Sequence, residues 1–186
     1  MELRELLTGC RKFEQKAQHD LFELYKDEMM GVCVRFAKSE SQATEILKEG
    51  FVAVFKGIKN STEDSSFDAW LKAKMIDTAI EVLRRNRQEY KIVSTINAYD
   101  VIQQQDTIND LEIIPYMDSY DVLRAIQALS PAYRVVVNLH LFDHWSFEKI
   151  SDKLDVGEVT IALNFEKAMY QLRKNIVQLT TITRAE

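Results

Sequence analysis

The chain has 186 residues, a formal net charge of −5, only five glycines and two prolines, and no apolar run near the roughly 20 residues that cross a bilayer. No membrane-spanning helix is expected, and the few breakers beside abundant Leu, Ile, Val, Ala, Lys and Glu favour helix over sheet. The net negative charge argues against indiscriminate binding to nucleic acid, whose phosphates it repels. The opening MELRELLTGCRKFEQ alternates charge and lacks the apolar core of a signal peptide. Cys10 and Cys33 stand far apart without a CxxC partner and read as buried or incidental thiols of a reducing compartment. A soluble, cytoplasmic, all-α protein is expected.

In chain order, a short helix can precede Phe13. From there Phe13, Ala17, Leu21, Leu24, Tyr25, Met29, Val32 and Phe36 recur at three- and four-residue steps, the stripe of an amphipathic helix. Ser39 or Ser41 can cap the next helix, which repeats the pattern in Ala43, Ile46, Leu47, Phe51, Val54, Phe55 and Ile58. A polar, turn-like run from Asn60 to Ser66 follows. Phe67 then opens a helix with Trp70, Leu71, Met75, Ala79, Ile80 and Leu83 on its apolar side. Its far end is basic, with Arg84, Arg85, Arg87 and Lys91 set against Glu81 and Glu89. Between Ile92 and Pro115 the apolar residues lose their period, and Asn97 to Asp121 carries six acidic residues (Asp100, Asp106, Asp110, Glu112, Asp118, Asp121) and no Lys or Arg. We read two small helical domains, residues 1–92 and 116–186, joined by an acidic linker over 93–115.

The second domain has the layout of a helix-turn-helix. Met117 to Leu129 begins it, and Ser130-Pro131 stops one helix and starts the next. Ser146 caps a short helix that carries Phe147, Ile150 and Leu154 inward. Asp155-Val156-Gly157 turns the chain, with Gly157 expected at the unusual backbone angle, and a last helix runs from about Glu158 beyond Leu172. With Ile161, Phe165, Ala168 and Leu172 facing the core, Thr160, Asn164, Lys167, Gln171 and Lys174 fall on the outer face. Asn and Gln can read adenine edges and Lys can contact guanine or phosphate, so this face is a candidate for the DNA major groove. The alternative is a helical hairpin with a merely solvated face, and Glu158 and Glu166 offset Lys167 and Arg173 there.

The order of these pieces resembles a bacterial RNA polymerase sigma factor of the extracytoplasmic-function subfamily, which keeps only the second and fourth sigma domains and a linker. Leu129-Ser130-Pro131-Ala132-Tyr133-Arg134 is similar to the family's L-P-x-x-Y-R opening, Ser146 to Ile150 to S-Y-x-E-I, and Val156 to Ile161 to I-S-x-G-T-V. Ala43 to Phe51 resembles A-E-D-L-x-Q-E-x-F, Phe67 to Leu71 resembles F-x-x-W-L, and Ile80 to Arg85 resembles I-D-x-L-R-R. The chain departs from the pattern at Glu45 and Lys48, where Asp and Gln are usual, and at Lys74 and Asp77. On the last helix Leu163 stands where Ser is common, and Asn164 and Met169 where Arg is.

The resemblance implies a protein that directs RNA polymerase to promoters and is not an enzyme. Its partners are then core RNA polymerase and promoter DNA, with an anti-sigma factor the usual third. It implies a polymerase-binding face at Ala43, Glu45, Lys48, Glu49 and Phe51, of which Phe51 suits the core better than a contact. Arg84, Arg85, Arg87 and Lys91 would hold the melted downstream promoter element, while Thr160, Asn164, Lys167 and Gln171 would meet the upstream element. Two other readings stay open: a two-domain helix-turn-helix regulator, and a helical interaction protein of this fold without promoter binding. No cofactor is expected. His140 and His144 lie one helical turn apart beside Asp143, a metal-compatible spacing, but no further ligands are supplied and no metal is expected.

Overall fold

The computed structural model describes residues 2–60, 66–85 and 119–183; Arg87, Lys91 and the acidic stretch 93–115 lie outside them. Among the described residues all regular structure is helical, and the chain divides into two compact units, Met1–Arg85 and Asn86–Glu186. No helix of the described residues is long and apolar enough to cross a membrane.

The first unit comprises α1 (Leu3–Arg11), α2 (Gln15–Phe36), α3 (Glu40–Gly57) with a 3-10 turn at Ile58–Asn60, and α4 (Phe67–Arg85). The amphipathic stripe does not begin at Phe13. That residue ends α1 in the left-handed conformation (φ 61°), with its own N–H donating to the Cys10 carbonyl and that of Glu14 to the Gly9 carbonyl. This pairing closes the orphan carbonyls of α1 and turns the chain into α2. Phe13 is consequently 52 % exposed, with the Lys59 ammonium 4.6 Å from its ring centre, and Leu24 is exposed as well. The rest of the stripe is core: Ala17, Leu21, Tyr25, Met29, Val32 and Phe36 are buried.

Ser39, not Ser41, caps α3, its Oγ accepting from the Gln42 N–H while the Gln42 side chain accepts from the Lys38 N–H. Ile46, Phe51 and Val54 of α3 and Phe67, Leu71 and Met75 of α4 complete the core against α2. Aromatic edges lock the packing, Phe22 on Phe51 at 4.8 Å and Tyr25 on Phe67 at 5.7 Å. The Tyr25 hydroxyl donates to Asp68 at the start of α4, so this near-buried phenol keeps a polar partner. Gly50 allows α3 and α4 to approach: a Cβ there would collide with the Met75 sulfur.

The second unit comprises α5 (Ser119–Gln127), α6 (Pro131–Val137) continued by a π-helical turn at Asn138–Phe142, α7 (Phe147–Leu154) and α8 (Glu158–Thr183). Ser130 caps α6 with Pro131 in its first turn, and Ser146 caps α7, as the sequence reads. Ala125, Ile126, Leu129, Val137, Ala168 and Leu172 form one buried cluster, flanked by Tyr133 and Phe165. Polar groups tie α8 to this core. The buried Asn175 donates to the Ala125 carbonyl at 3.0 Å and accepts from Gln171 at 2.9 Å. In α6 the buried Arg134 donates to the Leu129 carbonyl, bracing the turn between α5 and α6.

Candidate nucleic-acid interface

The outer face of α3 carries Glu45 and Lys48, both exposed, and Glu49, which with Ser41 and Thr44 line a shallow open hollow. Ala43, which the resemblance put on the same face, is instead fully buried, and Phe51 is almost fully buried, in keeping with its place in the apolar stripe. They share the α3 stripe that packs on α2 and α4, and the helical period turns them away from Glu45 and Lys48. Val52, 52 % exposed, was not foreseen in the sequence. It continues the outward spacing 45, 48, 49, 52, and that step pattern was the available signal.

At the last turn of α4, Arg84 and Arg85 are both exposed. The Arg85 guanidinium reaches across to α3 and grips Glu49 with two hydrogen bonds of 2.7 Å, with Glu81 of its own helix at 3.5 Å. The two-pronged bond holds the Glu49 carboxyl below its ordinary range and raises the Arg85 guanidinium. Two residues assigned from sequence to different surfaces are therefore partners. An anion that takes the same two prongs of Arg85 displaces Glu49, and a partner that takes the Glu49 carboxylate competes with Arg85.

In the second unit α7 and α8 meet through Asp155-Val156-Gly157, the connection of a helix-turn-helix. The left-handed residue is Asp155 (φ 56°, ψ 50°), not Gly157 as the sequence suggested; no glycine of the described residues has a positive φ. Gly157 serves α8 through its carbonyl, which accepts from the Ile161 N–H. A Cβ at Gly157 would have only the Thr160 hydroxyl near, at 4.0 Å.

The outer face of α8 is rotated from the expected one. Asn164 is buried, its side chain donating to the Thr160 carbonyl at 2.7 Å, and so faces no groove. Gln171 is half-buried and committed to Asn175. The reason is that Asn175, spaced with Asn164, Ala168 and Leu172, widens the inward stripe to the side where Asn164 and Gln171 lie. Thr160 and Lys167 stay half-exposed at the edge. The side opposite Ile161, Ala168 and Leu172 presents Val159, Leu163, Glu166, Tyr170 and Arg173, with Lys167 and Lys174 beside them. Val159 is 74 % exposed, the highest of any bulky apolar residue described.

Of the two histidines, His140 is built into the packing of the second unit, while His144 is exposed. His140 stacks on Phe147 at 4.4 Å, meets Phe165 edge-on at 4.7 Å, and bonds the Trp145 carbonyl through Nδ1 at 2.8 Å. A carbonyl only accepts, so Nδ1 carries the proton. Among the described residues no group of three His, Cys, Asp or Glu side chains could hold a metal ion. Cys10 and Cys33 are buried, and desolvation pushes the thiols up to about 11 and about 12, away from thiolate chemistry.

The family model described as Sigma-70 region 2 matches residues 21–89, from within α2 to just past the end of α4, and that described as Sigma-70, region 4 matches residues 119–172, from α5 into α8. Together they cover more than half of the chain, in the family's order. The chain belongs to the sigma-70 family. It is similar over most of its length to several sigma factors. It is 21% identical over 185 residues to the "ECF RNA polymerase sigma factor SigW" of Bacillus subtilis, covering 96% of this chain and 99% of that one. It is 22% identical over 182 residues to the "RNA polymerase sigma-H factor" of Pseudomonas aeruginosa (95% and 94%), and 25% identical over 171 residues to the "RNA polymerase sigma factor CarQ" of Myxococcus xanthus (89% and 92%). In this sigma-70 family chain the region 2 match ends four residues beyond Arg85, and the region 4 match takes in α7, the turn and α8 as far as Leu172.

Proposed function

We infer that this chain is a sigma factor that directs RNA polymerase to promoters and initiates DNA-templated transcription. The observation that carries the reading is that two successive sigma-70 regions fall on two separately cored helical units. On this reading the chain has no catalytic role, its partners are core RNA polymerase, promoter DNA and an anti-sigma factor, and it works in the cytoplasm. Residues 1–92 and 116–186 are its domains and 93–115 its acidic linker.

The outward side of α3 (Glu45, Lys48, Glu49 and Val52) docks on the polymerase, where an apolar side chain ringed by charges offers both burial and orientation. Arg84 and Arg85, with Arg87 and Lys91 beyond them, hold the backbone of the melted downstream element. When DNA arrives, Arg85 exchanges the Glu49 carboxylate for a phosphate, a trade between two anions at an exposed position. The helix-turn-helix lays α8 in the major groove of the upstream element. Thr160 meets a phosphate near the helix N-terminus, and Lys167 supports it from the next turns.

Run-off transcription with purified core polymerase tests this. Transcripts from defined start sites are expected only when the chain is added. The double change Arg84→Ala with Arg85→Ala is expected to abolish them while leaving co-purification with the core enzyme intact. Full transcription by the double variant would remove the arginines from the reading, and no chain-dependent transcript on any template would remove the reading itself.

A further inference from the structure

The first two turns of a recognition helix are the part that reaches base edges. In α8 the stretch from Glu158 to Glu166, about two and a half turns, contains no Lys or Arg, so the commonest specific contact, a basic side chain on guanine, is absent from it. Exposed along it are Glu158 at the very start, Val159 and Glu166, with Leu163 half-exposed between the last two. A bulky apolar residue 74 % exposed at the leading edge of a helix gains nothing from water. In the major groove its chemical complement is the thymine 5-methyl group, the one apolar feature of the base edges. Glu166 lies on the same side, exposed, and a carboxylate is repelled by the phosphates on either wall of the groove. The base edge that welcomes it is the cytosine N4 amino group, a donor. Val159 and Glu166 stand seven residues apart, roughly 10 Å along the axis, or about three base-pair steps. Lys167, Arg173 and Lys174 follow, where they can neutralise phosphates without reading sequence.

We propose that α8 reads its DNA site through Val159 on a thymine methyl and Glu166 on a cytosine amino group, about three base pairs apart. The proposal rests on the reading of the chain as a sigma factor and names what that factor selects. Neither position is core, so neither substitution threatens the fold.

The test is run-off transcription by the full-length chain with core polymerase on a promoter library with randomised upstream and downstream elements, sequencing the transcribed templates. A thymine and a cytosine about three base pairs apart are expected in the upstream element. Replacing that thymine by uracil, which removes only the methyl, is expected to lower transcription about fourfold, the weight of one buried methylene-sized group. Val159→Ala is expected to be indifferent to the replacement. Glu166→Gln is expected to move the preference from cytosine to adenine, because a carboxamide can both donate to N7 and accept from N6. Chain-dependent transcription without upstream preference, equal uracil sensitivity in Val159→Ala, or an unmoved cytosine preference in Glu166→Gln would overturn the proposal while the sigma reading stands. Absence of chain-dependent transcription from the whole library would overturn both.

Discussion

Asp155 shows how one residue sets the angle of the helix-turn-helix. It takes the left-handed conformation that closes α7, a conformation that strains most side chains but that Asp adopts more readily than most. Asp155→Gly relieves a strain of about 1–2 kcal/mol, offset by about 0.5–1 kcal/mol for the greater freedom of Gly in the unfolded chain, so a net gain of up to about 1 kcal/mol is expected. Gly157→Ala is expected to change stability by less than about 0.5 kcal/mol, because its φ is negative and its Cβ enters open space. Thermal unfolding of the two variants checks both, and a severe loss in Gly157→Ala would mean that the turn has been misread. The sequence could not separate these positions: Asp-x-Gly marks a turn, but which residue takes the positive φ depends on how α7 ends.

At the same scale, Glu49 is held by Arg85, and its carboxyl is expected to titrate below the ordinary value of 4.5. The folded pKa is depressed, so the stabilisation is present above the unfolded carboxylate pKa and is lost as pH falls through the folded value. NMR titration of Glu49 checks this. Arg85→Gln is expected to return the midpoint toward 4.5, and added salt to do so in part. An unchanged midpoint in Arg85→Gln would show that the pair does not persist in solution.

For whole elements, the closeness of α3 and α4 is set by Gly50 against Met75. Gly50→Ala gains about 1 kcal/mol of helix propensity but overpacks the crossing at a cost of about 1–3 kcal/mol, so a net loss of up to about 2 kcal/mol is expected. Gly31, exposed in the interior of α2 with nothing near its missing Cβ, supplies the contrast. Gly31→Ala is expected to stabilise by roughly 0.5–1 kcal/mol. Chemical denaturation of the pair reads the sign, and the same sign for both would contradict the packing. The sequence treats these glycines alike, since each is a glycine amid helix formers. Only the neighbour across the crossing separates them.

The elements themselves were legible wherever the apolar period was strong, as in α2, α3 and α4, and wherever a serine cap stood before it, as in α6 and α7. On α8 the period located the helix but not its outer face. Asn164 and Asn175 are polar yet buried, satisfied by the Thr160 and Ala125 carbonyls. A pattern that counts polar residues as exposed therefore turns the helix by about a residue, and the candidate site lost Asn164 and Gln171 for that reason.

Over the whole molecule, the two units have separate cores, Leu21, Phe36, Leu71 and Met75 in one and Ile126, Val137, Ala168 and Leu172 in the other. Leu21→Ala is expected to destabilise the first unit by about 2–5 kcal/mol and to leave the second unchanged. Hydrogen exchange resolved by segment checks this: faster exchange within α2 to α4 and unaltered exchange within α6 to α8 is the expected pattern. Coordinated loss in both units would mean that they fold as one.

The amino-acid order by itself determined the all-helical class and its reading as two small domains, because period, caps and breakers are local properties of the chain. The family membership was legible for the same reason, since its motifs are short runs at fixed spacing. Tertiary packing alone decided that Asn164 is interior, that Arg85 holds Glu49, and that Val159 and Glu166 look outward. Each of those depends on which neighbour arrives from elsewhere in the chain to exclude water or supply an opposite charge, and spacing along one helix carries no record of that neighbour.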